Sequence, residues 1–198
     1  MTIGIEYQKH YYPGVRQALV QKVQAAMSDY RYQHVLRVEA MALQLAEIWG
    51  VDLEMASVAA LVHDYTKERS DDEFKAMIAT AHLDADLLNW GNNIWHGVVG
   101  AEFIARELNI TDETILTAVR QHTTGAPEMT PLSQVLYMAD YVEMGRDFPG
   151  VDEVRNLAHT NLAASVGWQA RHTLAYLVGQ KARIYPLSLL TYNVWSTK

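Results

Sequence analysis

Cysteine is absent from the 198-residue chain. This excludes disulfides, thiolate zinc sites and cysteine nucleophiles, and any bound metal has to sit in a cage of His and Asp. No apolar stretch approaches the ~20 residues of a membrane span, and Met1 to Lys9 lacks the apolar core of a signal peptide. A cytoplasmic protein with no membrane partner is expected. Positive charge is in deficit: 16 Lys and Arg against 23 Asp and Glu give a formal net charge of −7. The acidic residues are spread along the chain, and nucleic acid is not an expected partner, because binding its backbone leaves a basic footprint. A small anionic substrate stays open, since bound divalent ions can be the largest local charges in a site. Strand-like alternation, internal repeats, low-complexity segments and linkers are lacking too. With 49% hydrophobic and 20% charged residues, one sizeable core is expected and a second is not.

What is present is helix after helix, and an all-α, single-domain fold is predicted. Amphipathic stretches run from Val15 to Met27 and from Arg31 to Trp49, the second capped by Ser28 or Asp29 and stopped by Gly50. Asp52 caps a third, running to Asp64. Ser70-Asp71-Asp72-Glu73 has the form of a capping box, so a fourth helix starts there. A short helix around Asp84 to Trp90 is broken by Gly91-Asn92-Asn93, and one from near Trp95 to Leu108 follows. Thr111-Asp112 opens the next, ending near His122, and Thr130 before Pro131 opens the helix that carries Asp140. Gly145 to Gly150 reads as a loop and Ala163 to Lys181 as a long closing helix.

Six residues stand out on this frame: His34, His63, Asp64, His96, His122 and Asp140. His34 is in phase with Val38, Met41 and Leu45, His63 with Ala56, Ala59 and Ala60, His122 with Ile115, Ala118 and Val119, and Asp140 with Leu132, Leu136 and Ala139, so each points at the core. Burying such groups without partners would cost on the order of several kcal/mol, and a shared metal satisfies them together. Imidazole nitrogen with carboxylate oxygen is a borderline-soft set suited to Fe, Mn, Zn or Co, and Asp can bridge two ions. One His on an apolar face is more often a hydrogen-bonded core residue. Six candidates on separate inward faces point instead to a dinuclear hydrolytic centre. His10, His82, His159 and His172 lie beside no second candidate and are read as structural or surface residues.

The order His34, then His63-Asp64, then Asp140 resembles the HD superfamily of metal-dependent phosphohydrolases, and His96 with His122 resembles its dinuclear branch. Longer motifs, among them His63-Asp64-Tyr65-Thr66-Lys67, Trp95-His96-Gly97-Val98-Val99-Gly100-Ala101, His122-Thr123-Thr124-Gly125 and Ala139-Asp140-Tyr141-Val142-Glu143, are similar to the YqeK-type bacterial symmetrical diadenosine tetraphosphate hydrolases. The similarity spans residues 15–195, with Met144 where that family is expected to carry Pro, and residues 1–14 read as an N-terminal extension of no assigned role. The resemblance implies an HD-type helical domain over residues 15–195. It implies one ion on His34, His63, Asp64 and Asp140 and a second on Asp64, His96 and His122, with a bridging hydroxide as nucleophile. Iron is the favoured metal, and Mn, Co or Zn the alternatives. Asp64 and Lys67 take catalytic roles, and Lys67, Arg146, Thr123 and Thr124 bind the substrate, a small-molecule dinucleoside polyphosphate cleaved to two ADP. The plain readings are a solvated surface charge for Lys67 and a helix C-terminal turn closed by Gly125 for the two threonines.

Two other classes are weighed beside this. One is an HD phosphohydrolase acting on a mononucleotide, a cyclic nucleotide or an alarmone; the His96 and His122 pair argues against the mononuclear members. The other is a non-catalytic helical binding protein with a vestigial metal, disfavoured because all six ligands and Lys67 are intact. The oligomeric state is left open, a homodimer included.

Overall fold

Helix α2 (Asp29–Trp49) is the spine of the molecule. Ser28 caps it by accepting from the Arg31 amide, and Gly50 ends it in the left-handed conformation at φ 68°, as a C-terminal glycine should. The structure is a computed structural model and describes residues 5–197. It contains eleven α-helices and one 3₁₀ turn, with no strand among the described residues. The short α1 (Arg16–Ala25) precedes α2, and α3 (Leu53–Val62) follows it after an Asp52 cap.

Helix α3 packs along α2, which also packs on α8 (Pro131–Val142). α7 (Glu113–Gln121) closes against α3 and α8. Ala56, Ala59 and Ala60 are fully buried on α3, and their small side chains let these neighbours approach its backbone. One main core, containing Val35, Val38, Leu45, Leu61, Ile115, Leu136 and Met138 among others, fills the space between these helices. A satellite cluster around Phe74, Trp95 and Phe103 seats α4 (Asp71–Thr80), the turn Ala85–Asn89, α5 (Asn92–Val98) and α6 (Gly100–Leu108). The predicted capping box is present: Ser70 accepts from the Glu73 amide and the Glu73 carboxylate accepts from the Ser70 amide at 3.0 Å.

Four elements differ from the sequence expectation. Of the expected break Gly91-Asn92-Asn93, Gly91 is extended and separates the turn from α5, whereas Asn92 and Asn93 lie inside α5, and the helix expected over Trp95 to Leu108 divides at Val99 into α5 and α6. Two further helices exist, α9 (Val151–Thr160) and α11 (Pro186–Trp195). Consequently α10 (Leu162–Gly179) does not close the fold, because the chain turns back and α11 packs along it. No helix of the described residues is long and apolar enough to cross a membrane.

Of the segment 1–14, residues 1–4 lie outside the described residues. The remainder is tied to the core. Tyr7 and Tyr12 are buried in the main cluster, and the Glu54 carboxylate accepts from the backbone amides of Gln8, Lys9 and Tyr11. The Tyr7 hydroxyl lies 2.9 Å from Ser57 Oγ, which donates to the buried Glu39 carboxylate, itself paired with Arg16.

Candidate active site

The site is built where α3 runs out. Helical hydrogen bonding stops at Val62, and three successive turns follow, with the amides of Tyr65, Lys67 and Arg69 donating to the carbonyls of Val62, Asp64 and Thr66. These turns carry His63 and Asp64 inward. Thr66 is buried within them and donates to the His96 carbonyl at 3.1 Å, while Asn92 Nδ2 donates to the Lys67 carbonyl at 3.0 Å. A Cβ on Gly100 would stand 2.7 Å from Thr66 Oγ1, and one on Gly97 would press on the Val119 carbonyl and the His122 ring. Glycine at these two places is what allows α5 and α6 to close on the turn and on α7.

All six predicted ligands come together. Three sets, His34 with His63 and Asp64, His63 with His122 and Asp140, and Asp64 with His96 and His122, each place their donor atoms within 4.8 Å of one another. Asp64 is the hub: Oδ2 lies 3.6 Å from His63 Nε2 and 3.8 Å from His34 Nε2, and Oδ1 lies 3.6 Å from His96 Nε2 and 3.9 Å from His122 Nε2. One carboxylate therefore faces two pairs of imidazoles, one with each oxygen.

The orientation of the rings is set from behind. His63 Nδ1 donates to the Ala60 carbonyl at 2.7 Å, His122 Nδ1 to the Val119 carbonyl at 2.7 Å and His96 Nδ1 to the Asn92 carbonyl at 2.6 Å. His34 Nδ1 instead faces the buried Glu143 carboxylate at 3.2 Å. A carbonyl can only accept, so the proton sits on Nδ1 and the Nε2 lone pair of each ring points inward, the tautomer a metal requires. The buried Nε2 atoms of His34 and His63 have no hydrogen-bond partner in the fold. Asp140 Oδ1 is 3.1 Å from His34 Nε2, acceptor facing acceptor once the proton sits on Nδ1. Orphaned buried acceptors of this kind are uncommon, and beside two carboxylates they suit a bound cation. The residues present fit divalent metal ions.

Electrostatics agree with the geometry. Burial, with the neighbouring His122 and Lys67, pushes His96 down to about 3, and burial with His63 pushes His122 down to about 4, so both rings are neutral at neutral pH, the state in which an imidazole can coordinate. Burial alone would push the Asp64 carboxyl up, but the His63 and His96 rings outweigh it and hold the group below its ordinary value. Asp140 is likewise held well down against its burial by His34, His63 and Arg146. Lys67 is lowered, first by burial and then by Arg31 and Arg146, with Asp64 and Asp140 opposing.

Above the ligands opens a cleft of about 510 Å³. Lys67, Thr123, Thr124 and Arg146, all predicted to bind substrate, line it beside Asp64, His96 and Asp140. Lys67 Nζ is 3.2 Å from the His96 ring nitrogens, and Arg146 Nη2 donates to Asp140 Oδ1 at 2.8 Å. The Thr123 hydroxyl lies 3.0 Å from His96 Nε2, whereas the buried Thr124 hydroxyl donates to the Gly125 carbonyl at 3.0 Å. Two site residues are absent from the sequence expectation. Arg31 donates to Asp64 Oδ2 at 2.9 Å and lines the cleft. Glu143 accepts from Arg37 Nε at 2.6 Å and the Gly145 amide at 2.5 Å while facing His34. Both had a signal: Arg31 stands three residues before His34 and Glu143 three after Asp140, the spacing of one helix face. His10, His82, His159 and His172 stand outside the metal sets.

Comparison with known proteins places this geometry. The HD domain family matches residues 31–145. The symmetrical bis(5'-nucleosyl)-tetraphosphatase of Bacillus subtilis is 42% identical over 171 residues, covering 86% of this chain and 92% of that protein. The protein of the same name from Halalkalibacterium halodurans is 37% identical over 88% of this chain and 93% of its own length. A crystal structure from Clostridium acetobutylicum, described as a predicted HD superfamily hydrolase involved in NAD metabolism, superposes with a TM-score of 0.86 at 28% identity, over 90% of this chain and 95% of that one. With the HD model covering the six convergent His and Asp side chains and relatives this similar along most of its length, the chain belongs to the HD domain family.

Proposed function

We propose that this chain hydrolyses diadenosine tetraphosphate symmetrically: water adds across the central anhydride, one phosphorus gains its oxygen, the bridging oxygen leaves with the other, and two ADP result. What supports the reading is the set of four imidazoles locked through Nδ1 around Asp64 and Asp140, under a cleft lined by Arg31, Lys67 and Arg146, in a chain whose relatives carry that activity in their names.

In this reading His34, His63, Asp64 and Asp140 would hold one ion and Asp64, His96 and His122 a second, with iron the favoured identity and Mn, Co or Zn the alternatives. Bound divalent ions lower the pKa of water toward neutrality and offset charge building on a phosphoryl group. The protein's own contribution is placement. Asp64 fixes the spacing of the two imidazole pairs, and Lys67 and Arg146 draw a polyphosphate along the cleft and decide which phosphorus rests over the ligands. Thr123, whose hydroxyl borders His96 and His122, offers one more neutral donor to a phosphate oxygen. Deep burial of His63 and His122 keeps bulk water from reaching the site from the core side.

Product chromatography tests the reaction. ADP is the expected sole nucleotide product, and activity should disappear on chelation and return with added metal. ATP plus AMP would overturn symmetrical cleavage, and full activity after chelation would overturn the metal-dependent route.

A further inference from the structure

The six ligands and Lys67 fall within the 31–145 stretch matched by the HD family, yet the cleft above them is not built by that stretch alone. Its outer wall comes from the C-terminal helix pair: Tyr176 and Leu177 near the end of α10, then Arg183 and Tyr185 in the link to α11. Tyr176 is 66% exposed. Its ring therefore stands on the rim of the cleft that Lys67 and Arg146 line, with most of its surface open to meet a ligand.

The rest of the wall is braced. Tyr185 stands edge-on to Trp90 with ring centroids 4.9 Å apart, the Arg183 guanidinium lies 4.5 Å over the same indole, and Arg183 Nη1 donates to the Asn89 carbonyl at 2.7 Å. These contacts fasten the α10–α11 link to the turn Ala85–Asn89, which otherwise belongs to the satellite core. An exposed Arg held in one place costs less to order when a ligand arrives.

A nucleoside polyphosphate has two chemistries to satisfy. Its phosphates match the floor, where Lys67 and Arg146 lie. Its base is a flat ring with two apolar faces and a polar edge, and aromatic side chains and Arg planes are the groups that stack on bases. We infer that Tyr176, Arg183 and Tyr185 form the nucleoside subsite of this cleft, with Tyr176 stacking on a purine base while Arg183 and Tyr185 hold its outer edge. The C-terminal helix pair, and not the metal floor, then selects a dinucleoside polyphosphate over an inorganic polyphosphate. This inference rests on the functional reading above and names its specificity element.

The test compares two ligands on metal-loaded protein by calorimetry: ADP, which has a base, and inorganic pyrophosphate, which does not. Tyr176→Ala should weaken ADP about 5- to 100-fold, the range for losing one stacked base, and leave pyrophosphate within about twofold. Tyr176→Phe should restore ADP binding, since the ring is kept, and metal content and helicity should match the wild type in both variants. Parallel loss of ADP and pyrophosphate, or no change in either, would overturn the subsite. The two proposals separate cleanly. If diadenosine tetraphosphate is cleaved to ADP but Tyr176→Ala binds ADP normally, the subsite fails and the reaction stands. If ADP binding depends on Tyr176 but the dinucleotide is left intact, the subsite stands and the reaction fails.

Discussion

At the level of single residues, the proposed site separates groups that would shape a metal cage from groups that would face the substrate, and variants should tell them apart. Glu143 does not line the cleft; its Oε1 faces His34 Nδ1 at 3.2 Å and Arg146 Nε at 3.7 Å, with its other contacts to Arg37 and Gly145 keeping the carboxylate in place. Its burial would raise its pKa, but Arg37, the Gly145 amide and His34 hold it below the ordinary carboxylate range, so it is an anion at neutral pH. His34 is also the ring that has a carboxylate behind it where the other three have carbonyls. Glu143→Gln should weaken metal retention by about 10- to 100-fold, the usual cost of losing a group that orients a ligand. Lys67→Ala should do the reverse, lowering kcat/KM by roughly 10- to 1000-fold with metal content unchanged. Metal-to-protein ratios measured beside steady-state kinetics decide this, and loss of metal in the Lys67 variant would show that it braces the cage.

At the level of elements, the loop after α7 couples the cleft to α11. Gly125, at the end of the turn that follows α7, takes φ +63°, its amide donating to the Gln121 carbonyl at 2.8 Å. A Cβ there would lie 2.5 Å from Thr191 Cγ2, and Thr191 Oγ1 donates to the Thr124 carbonyl. Gly125→Ala should therefore cost roughly 2–4 kcal/mol, from left-handed strain plus overpacking, read as a lower urea midpoint with an unchanged slope; an unmoved midpoint would show that the α7–α11 junction yields. Four of the six candidate ligands, His34, His63, His122 and Asp140, were legible in the sequence because each sits in phase with an apolar stripe; Asp64 followed as the neighbour of His63 and His96 through the family resemblance. Helix α11 was not, since Leu189, Leu190 and Val194 are exposed and Thr191 is its buried residue, so no stripe marks its inward face. Helix α9 does carry the stripe Val151, Val154 and Ala158, but it begins directly after the Gly145–Gly150 loop with a left-handed glycine and no side-chain cap. Arg31 and Glu143 were obscured for another reason: a charged residue on a helix face reads as solvated until the partner across the site is known.

For the molecule as a whole, the segment before α1 matters more than its lack of periodicity suggests. Its partners, Glu54 and Ser57, lie more than 40 residues away on α3, a distance at which sequence pattern carries no signal. The docking has a consequence for stability against pH. Burial pushes the Tyr7 hydroxyl above its ordinary range, with Glu39 adding to the effect against Ser57 and Arg16, and burial does the same to Tyr137. Tyr11, Tyr65, Tyr141 and Tyr185 are raised as well, burial being the leading cause in each. In the unfolded chain tyrosines release their protons near pH 10. Above that pH the folded protein therefore holds more protons than the unfolded one, and stability falls as pH rises, by up to about 1.4 kcal/mol per pH unit for each fully shifted group. Below pH 10 the same groups contribute no slope. Tyr7→Phe removes one of these groups. It should cost about 1 kcal/mol at pH 8 through the lost Ser57 hydrogen bond, yet show a shallower decline between pH 10 and 11.5 than the wild type. Urea unfolding across that range is the measurement, and a variant whose decline matches the wild type would mean that Tyr7 is released from the core before it titrates.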